Sequence, residues 1–142
     1  MSYATVEDMR LRYSDFELIK LTNKNDVQPT EINPAVLGVA LSSASSVIDG
    51  YLAVRYTLPL STVPESLTNY CCIIARYQLE SGLATDQATE QYKQAIKFLQ
   101  GVSQGTVQLG PGDDGTAVDT DDGAVIESAG SVFARGKSKG FI

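Results

Sequence analysis

Histidine and tryptophan are absent from this chain of 142 residues, and cysteine occurs only twice. Without histidine the commonest general base and the commonest zinc ligand are both missing, which excludes hydrolase triads built on it. Two cysteines alone cannot close a structural zinc site. Basic residues are scarce as well: 11 Lys and Arg against 17 Asp and Glu leave a formal charge of -6 and a pI near 4.5. Proteins that grip nucleic acid neutralise phosphates with clustered Lys and Arg, and no dense basic stripe exists here, so nonspecific DNA binding is not expected. No run of about 18 apolar residues is present, and the opening MSYATVEDMRLRYSD puts acids where a signal peptide carries a basic and then an apolar stretch. The chain reads as soluble, intracellular in origin and without a membrane partner.

The two cysteines, Cys71 and Cys72, are neighbours. Disulfide geometry disfavours a bridge between adjacent residues, so they read as small hydrophobes in a reducing cytoplasm.

Composition changes near Gly101. Nine of the 12 glycines lie at or beyond that point, and GPGDDGTAVDTDDG at 110–123 is too polar and glycine-rich to build a core. This divides the chain into a folded body, 1–100, and a carboxyl-terminal appendage, 101–142. The appendage is acidic first and basic last: its acids end at Glu127, and Arg135, Lys137 and Lys139 follow.

The body is punctuated as helices. Thr5 ahead of Glu7 and Asp8 is an N-cap with acids at the positive end of the helix dipole, so a first helix is expected from about Val6 to Tyr13. A second starts at Ser14 or Asp15 and ends in the polar run 22–26. Asn33 followed by Pro34 is the clearest start, leading a helix over 34–55 whose stripe is Leu37, Leu41, Ala44, Ile48, Tyr51, Leu52 and Arg55. Ser42, Ser43, Ser45 and Ser46 form either a close-packing or subunit-contact face, or an ordinary solvated one. Pro64 suits the first position of the next helix, with Leu67, Tyr70, Cys71, Ile74 and Ala75 on one face and Gly82 as its left-handed stop. Thr85 caps a last helix carrying Ala88, Tyr92, Ala95, Ile96 and Leu99, ended by Gly101. The expectation is an all-α bundle of four to five helices with an extended Gly/Asp-rich arm. Leu37, Leu41, Ile48, Leu52, Leu67, Ile74, Ile96 and Leu99 are expected to be fully buried.

Chemistry finds little support. Asp49 and Glu80 have arginines available and read as helix-surface ion pairs. The glycines at 110–115 lack the Lys-Ser/Thr pair of a phosphate loop, and their aspartates would repel phosphate. Asp113, Asp114, Asp119, Asp121 and Asp122 are hard oxygen ligands, yet the calcium-loop spacing is not met. No catalytic residue, cofactor or metal is assigned, and the chain is not expected to be an enzyme.

Several segments resemble a known family. Ser2-Tyr3-Ala4-Thr5, the central Ile48-Asp49-Gly50-Tyr51-Leu52-Ala53-Val54-Arg55-Tyr56-Thr57-Leu58-Pro59-Leu60, Cys71-Cys72-Ile73-Ile74-Ala75-Arg76-Tyr77 and the ending from Val132 to Phe141 are similar to a Mu-like prophage family long labelled a domain of unknown function. The resemblance implies a virion structural protein: a head-tail connector (adaptor) subunit at the neck, made in the host bacterial cytoplasm. It implies a homo-oligomeric ring of about twelve copies, set between the portal protein and a tail-side neck or terminator protein, with DNA passing through unbound. The competing reading is a small phage-encoded helical binding or regulatory protein, monomeric or dimeric.

Within that reading, Asp49, Tyr51, Arg55, Tyr56 and Pro59 are expected to fix the turn between two helices or to make a subunit contact. The five aspartates at 113–122 either face the DNA channel, where carboxylates repel phosphate, or keep an exposed loop soluble. Val132, Phe133, Phe141 and Ile142, interleaved with Arg135, Lys137 and Lys139, need a pocket. A neighbouring subunit or the portal is expected to supply it, against the alternative that the arm folds back on its own body.

Overall fold

Four of the five helices begin at a side-chain cap in the computed structural model, which describes residues 2–109. The helices are α1 (Val6–Arg12), α2 (Asp15–Thr22), α3 (Pro34–Leu52), α4 (Glu65–Leu79) and α5 (Asp86–Gln104), with no strand among the described residues. The protein is all-α. Thr5 and Asp8 form a reciprocal capping box, the Thr5 amide donating to Asp8 Oδ2 at 2.8 Å and the Asp8 amide to Thr5 Oγ1 at 3.3 Å. Ser14, Asn33 and Thr85 accept the early amides of α2, α3 and α5. Such caps contribute about 1 kcal/mol each.

The core is a layer of α3, α4 and α5 in mutual contact, with α1 and α2 laid against α3 and α4. Met9, Leu18, Leu37, Ile48, Leu52, Leu67, Ile74, Leu99 and both cysteines are sealed from solvent. Burying one large aliphatic side chain stabilises the fold by about 1.5–3 kcal/mol, so these positions dominate the favourable side. Tyr70 against Phe98 and Tyr77 stacked on Tyr92, with centroids 4.6 and 4.1 Å apart, join α4 to α5. Arg76 joins α4 to α2 through Glu17 Oε2 at 2.7 Å, and its guanidinium lies over the Tyr13 ring.

By length and composition alone α3 could cross a membrane, with a mean hydropathy of 1.4. Serines and glycines break up its apolar run, so the sequence shows no uninterrupted one. Seven of its residues are buried, and it packs on α4 and α5 as the central core helix.

Four expectations need correction. The helix expected over 34–55 stops at Leu52, and residues 53–55 form a turn. Pro64 is the N-cap of α4 rather than its first helical residue, with extended backbone at ψ 148°. That helix ends at Leu79, and Gly82 has the left-handed backbone expected of its stop (φ 86°), with Ser81 (φ 50°) left-handed before it. Ile96 is half-buried, because Ala95, Leu99 and Val102 are the residues α5 turns into the core.

The largest difference is at Gly101, which lies inside α5 instead of ending it. The helix runs on to Gln104 and stops at Gly105, in left-handed backbone at φ 84°. Gly101 serves the returning chain: a Cβ there would stand 2.8 Å from Val107 Cγ2, and the Thr106 and Val107 amides donate to its carbonyl. A boundary at residue 100 therefore falls within α5, and the packed body reaches Leu109, itself buried.

Candidate functional site

The segment from Asp49 to Pro59 joins the last turn of α3 to the approach to α4, and the amino-terminal residues dock on it. Tyr3 is buried, its hydroxyl donating to Asp49 Oδ1 at 2.6 Å and its amide to Ser45 Oγ at 3.2 Å. Ser45 Oγ in turn lies 3.5 Å from Cys71 Sγ, so a short polar chain crosses the interface of α3 and α4. Burial, reinforced by the Asp49 carboxylate, raises the Tyr3 pKa and keeps its phenol neutral. Burial also raises Cys71 and pushes Cys72 up to about 12. Both thiols stay protonated at neutral pH and lack the thiolate a nucleophile needs.

Beyond α3 the chain tightens through Arg55 and Tyr56, whose amides both donate to the Leu52 carbonyl. Tyr56 is buried, Tyr51 half-buried against the core, and Pro59 exposed after a cis peptide bond from Leu58. Arg55 reaches the far end of α5, where a Cβ on Gly105 would come within 2.9 Å of its guanidinium carbon. A cation there faces the negative end of the α5 dipole. The structure thus uses Asp49, Arg55 and Tyr56 to hold chain segments together. Glu80 pairs with Arg76 at 3.9 Å, but it does so as a buried residue at the C-cap of α4 and not on a helix surface, and Asp49 accepts from the Tyr3 hydroxyl.

The outer surface of α3 carries what the sequence reading missed. Val36 and Val39 lie off the core stripe, 39 % and 70 % exposed, and with Leu21, Leu79 and Ser43 they line an open groove of about 700 Å³. Thr22, which also lines it, accepts from the Asn33 amide at 3.0 Å, and in the adjoining loop Asn23 Nδ2 donates to the Glu31 carbonyl at 2.7 Å. The available signal was the absence of any charge from Ile32 to Ile48, more than one buried face requires. Of the four serines, Ser45 is a buried packing residue, while Ser42, Ser43 and Ser46 are exposed.

Two other groups lie outside the described residues: the aspartates Asp113, Asp114, Asp119, Asp121 and Asp122, and the carboxyl-terminal Val132, Phe133, Arg135, Lys137, Lys139, Phe141 and Ile142.

Comparison with known proteins places these features in a lineage. The family described as bacteriophage Mu, Gp36 matches residues 3–128. Mu-like prophage FluMu protein gp36 of Haemophilus influenzae is 45% identical over 140 residues, covering 99% of this chain and 98% of its own length. Gene product J of Escherichia phage Mu is 38% identical over 147 residues, covering both chains in full.

Proposed function

The chain belongs to the bacteriophage Mu Gp36 family, and from that membership we propose that it is a head-tail connector subunit of the virion, a ring-forming adaptor between the portal and the tail-side neck proteins. The observation that carries the reading is the surface of the body. Its core is closed, yet large apolar side chains remain outside: Leu11 and Phe16 on the α1–α2 side, Val39 on α3, and Leu83 before α5. Val39 belongs with Val36, Leu21 and Leu79 to one contiguous apolar groove, and a contiguous apolar surface suits a protein contact. The side chains with chemical potential are used internally, Asp49 by Tyr3 and the Cys71 thiol by the α3–α4 interface.

A ring subunit needs two unlike surfaces that meet on neighbouring copies, a heterologous contact that closes when the rotation permits. The carboxyl-terminal segment, with Phe133, Phe141 and Ile142 among Arg135, Lys137 and Lys139, is suited to docking on a neighbouring subunit or the portal. The aspartates at 113–122 are suited to a channel wall that phosphate slides past.

The test is the mass of the purified full chain in solution, joined to antibody labelling of particles. A many-copy ring and label at the head-tail junction support the connector. A monomer or dimer that is absent from purified particles overturns it in favour of a small regulatory protein.

A further inference from the structure

We propose that the α3 groove of one subunit receives the carboxyl-terminal segment, residues 131–142, of a neighbouring copy. The proposal rests on the ring reading above and names the surface the segment would occupy. Val36 and Val39 are aliphatic side chains on a well-capped helix with no described side chain covering them, and the groove they line has the volume of a pocket for a drug-sized ligand. Two phenyl rings and an isoleucine fit within such a volume. Thr22 at one end of the groove is held by the Asn33 amide, and the adjoining loop by Asn23 on the Glu31 carbonyl, so binding would not have to order that end.

The occupant follows from chain length and composition. The described body ends at Leu109, and 22 residues separate it from Val132. That length spans at most about 75 Å. From Val39 to the end of α3 at Leu52 is only about 20 Å at 1.5 Å per residue, so the segment can reach past its own body. Residues 131–142 carry Phe133, Phe141 and Ile142, three basic residues and no acid. The cavity adjoining the groove, about 400 Å³, is lined by Lys24 and Asp26 with Asn23 and Asn25, and Glu31, exposed on the same loop, adds a second acid. Lys24 is the one charged residue that lines the groove itself, so the apolar side chains carry the docking and the acids beyond it, Asp26 and Glu31, face the basic residues of the segment. Groove and segment are unlike surfaces on one chain, and joining them between copies propagates a single contact around a ring.

The test uses full-length chains with one new surface thiol each, Ser43→Cys in the groove or Gly140→Cys beside Phe141, mixed and treated with a short bismaleimide. The native thiols are buried and protected. A cross-linked dimer of the two variants is expected, and it should be lost when the Ser43→Cys chain also carries Val36→Asp and Val39→Asp, exposed changes that should leave the melting temperature within a few degrees. No cross-linked dimer of the two variants, or one that persists in the presence of Val36→Asp and Val39→Asp, overturns the proposal. Solution mass separates it from the ring reading: if the Val36→Asp/Val39→Asp chain still forms the wild-type ring, the groove is not the receiving surface although the ring stands. A wild-type chain that forms no ring removes the ring reading itself, and the cross-link then reports on the groove alone.

Discussion

Arg55 and Gly105 meet at the end of the bundle, with the guanidinium so close to the glycine that a Cβ would come within 2.9 Å of its Cζ and Nη1. The turn after α3 is thereby held against the residue that caps α5. Gly105→Ala brings two penalties together, a side chain at φ 84° and a displaced arginine, and should destabilise the body by about 1–3 kcal/mol. Gly38→Ala is the contrasting change. It lies in the interior of α3 with nothing within 4 Å of its Cβ, and should stabilise by up to about 1 kcal/mol. Urea midpoints of the two variants should move in opposite directions.

Tyr3→Phe removes the donor to Asp49 while keeping the ring in the core. Loss of this bond to a carboxylate should cost about 1.5–3 kcal/mol in denaturant unfolding. A change below about 0.5 kcal/mol would mean that water serves Asp49 equally well.

Leu99→Ala and Ile96→Ala differ by one helical step in burial. Leu99 is fully enclosed and should cost about 2–5 kcal/mol, whereas the half-buried Ile96 should cost roughly half as much. Equal losses would show that α5 is rotated from the orientation described.

Alkaline pH should weaken the fold. Cys72 moves from 9.0 to about 12 through burial, and Cys71 and Tyr3 also move up for that leading reason. Each group keeps its proton to higher pH when folded than when unfolded. Its contribution is complete below about pH 9 for the thiols and about pH 10 for the tyrosine, and falls as pH rises towards the folded values. Urea midpoints should therefore decline from pH 9 to 11, less steeply in Cys72→Ala, and the native thiols should resist a thiol-specific dye at pH 8. A flat profile would mean that the thiols and phenol ionise alike in both states.

Local signals were legible because their partners are near in sequence. Asn33-Pro34 marks the start of α3 and Thr85 that of α5, and the spacing of Leu37, Leu41, Ile48 and Leu52 identifies the buried face. Gly101 misled because a glycine that permits close chain approach looks like one that ends a helix. The distinction depends on Val107, which folds back onto it. The roles of Tyr3 and Ser45 were hidden for a different reason, since the Tyr3–Asp49 bond spans 46 positions and no periodicity records it. Val36 and Val39 lay outside the inward stripe, so the groove became visible only once α2 and α4 had been placed beside α3.

The docking of Tyr3 also sets an order on biosynthesis. The amino-terminal residues leave the ribosome first, but the seat they occupy is made of Ser45 and Asp49 on α3, with Cys71 of α4 behind it. Until those helices have been synthesised and paired, Tyr3 and Ala4 have no interior to enter. Contacts of such long sequence separation form late because a loop must close first. Residues made before α3 are therefore among the last to be seated, and a segment fused ahead of them would be carried through every earlier stage of folding.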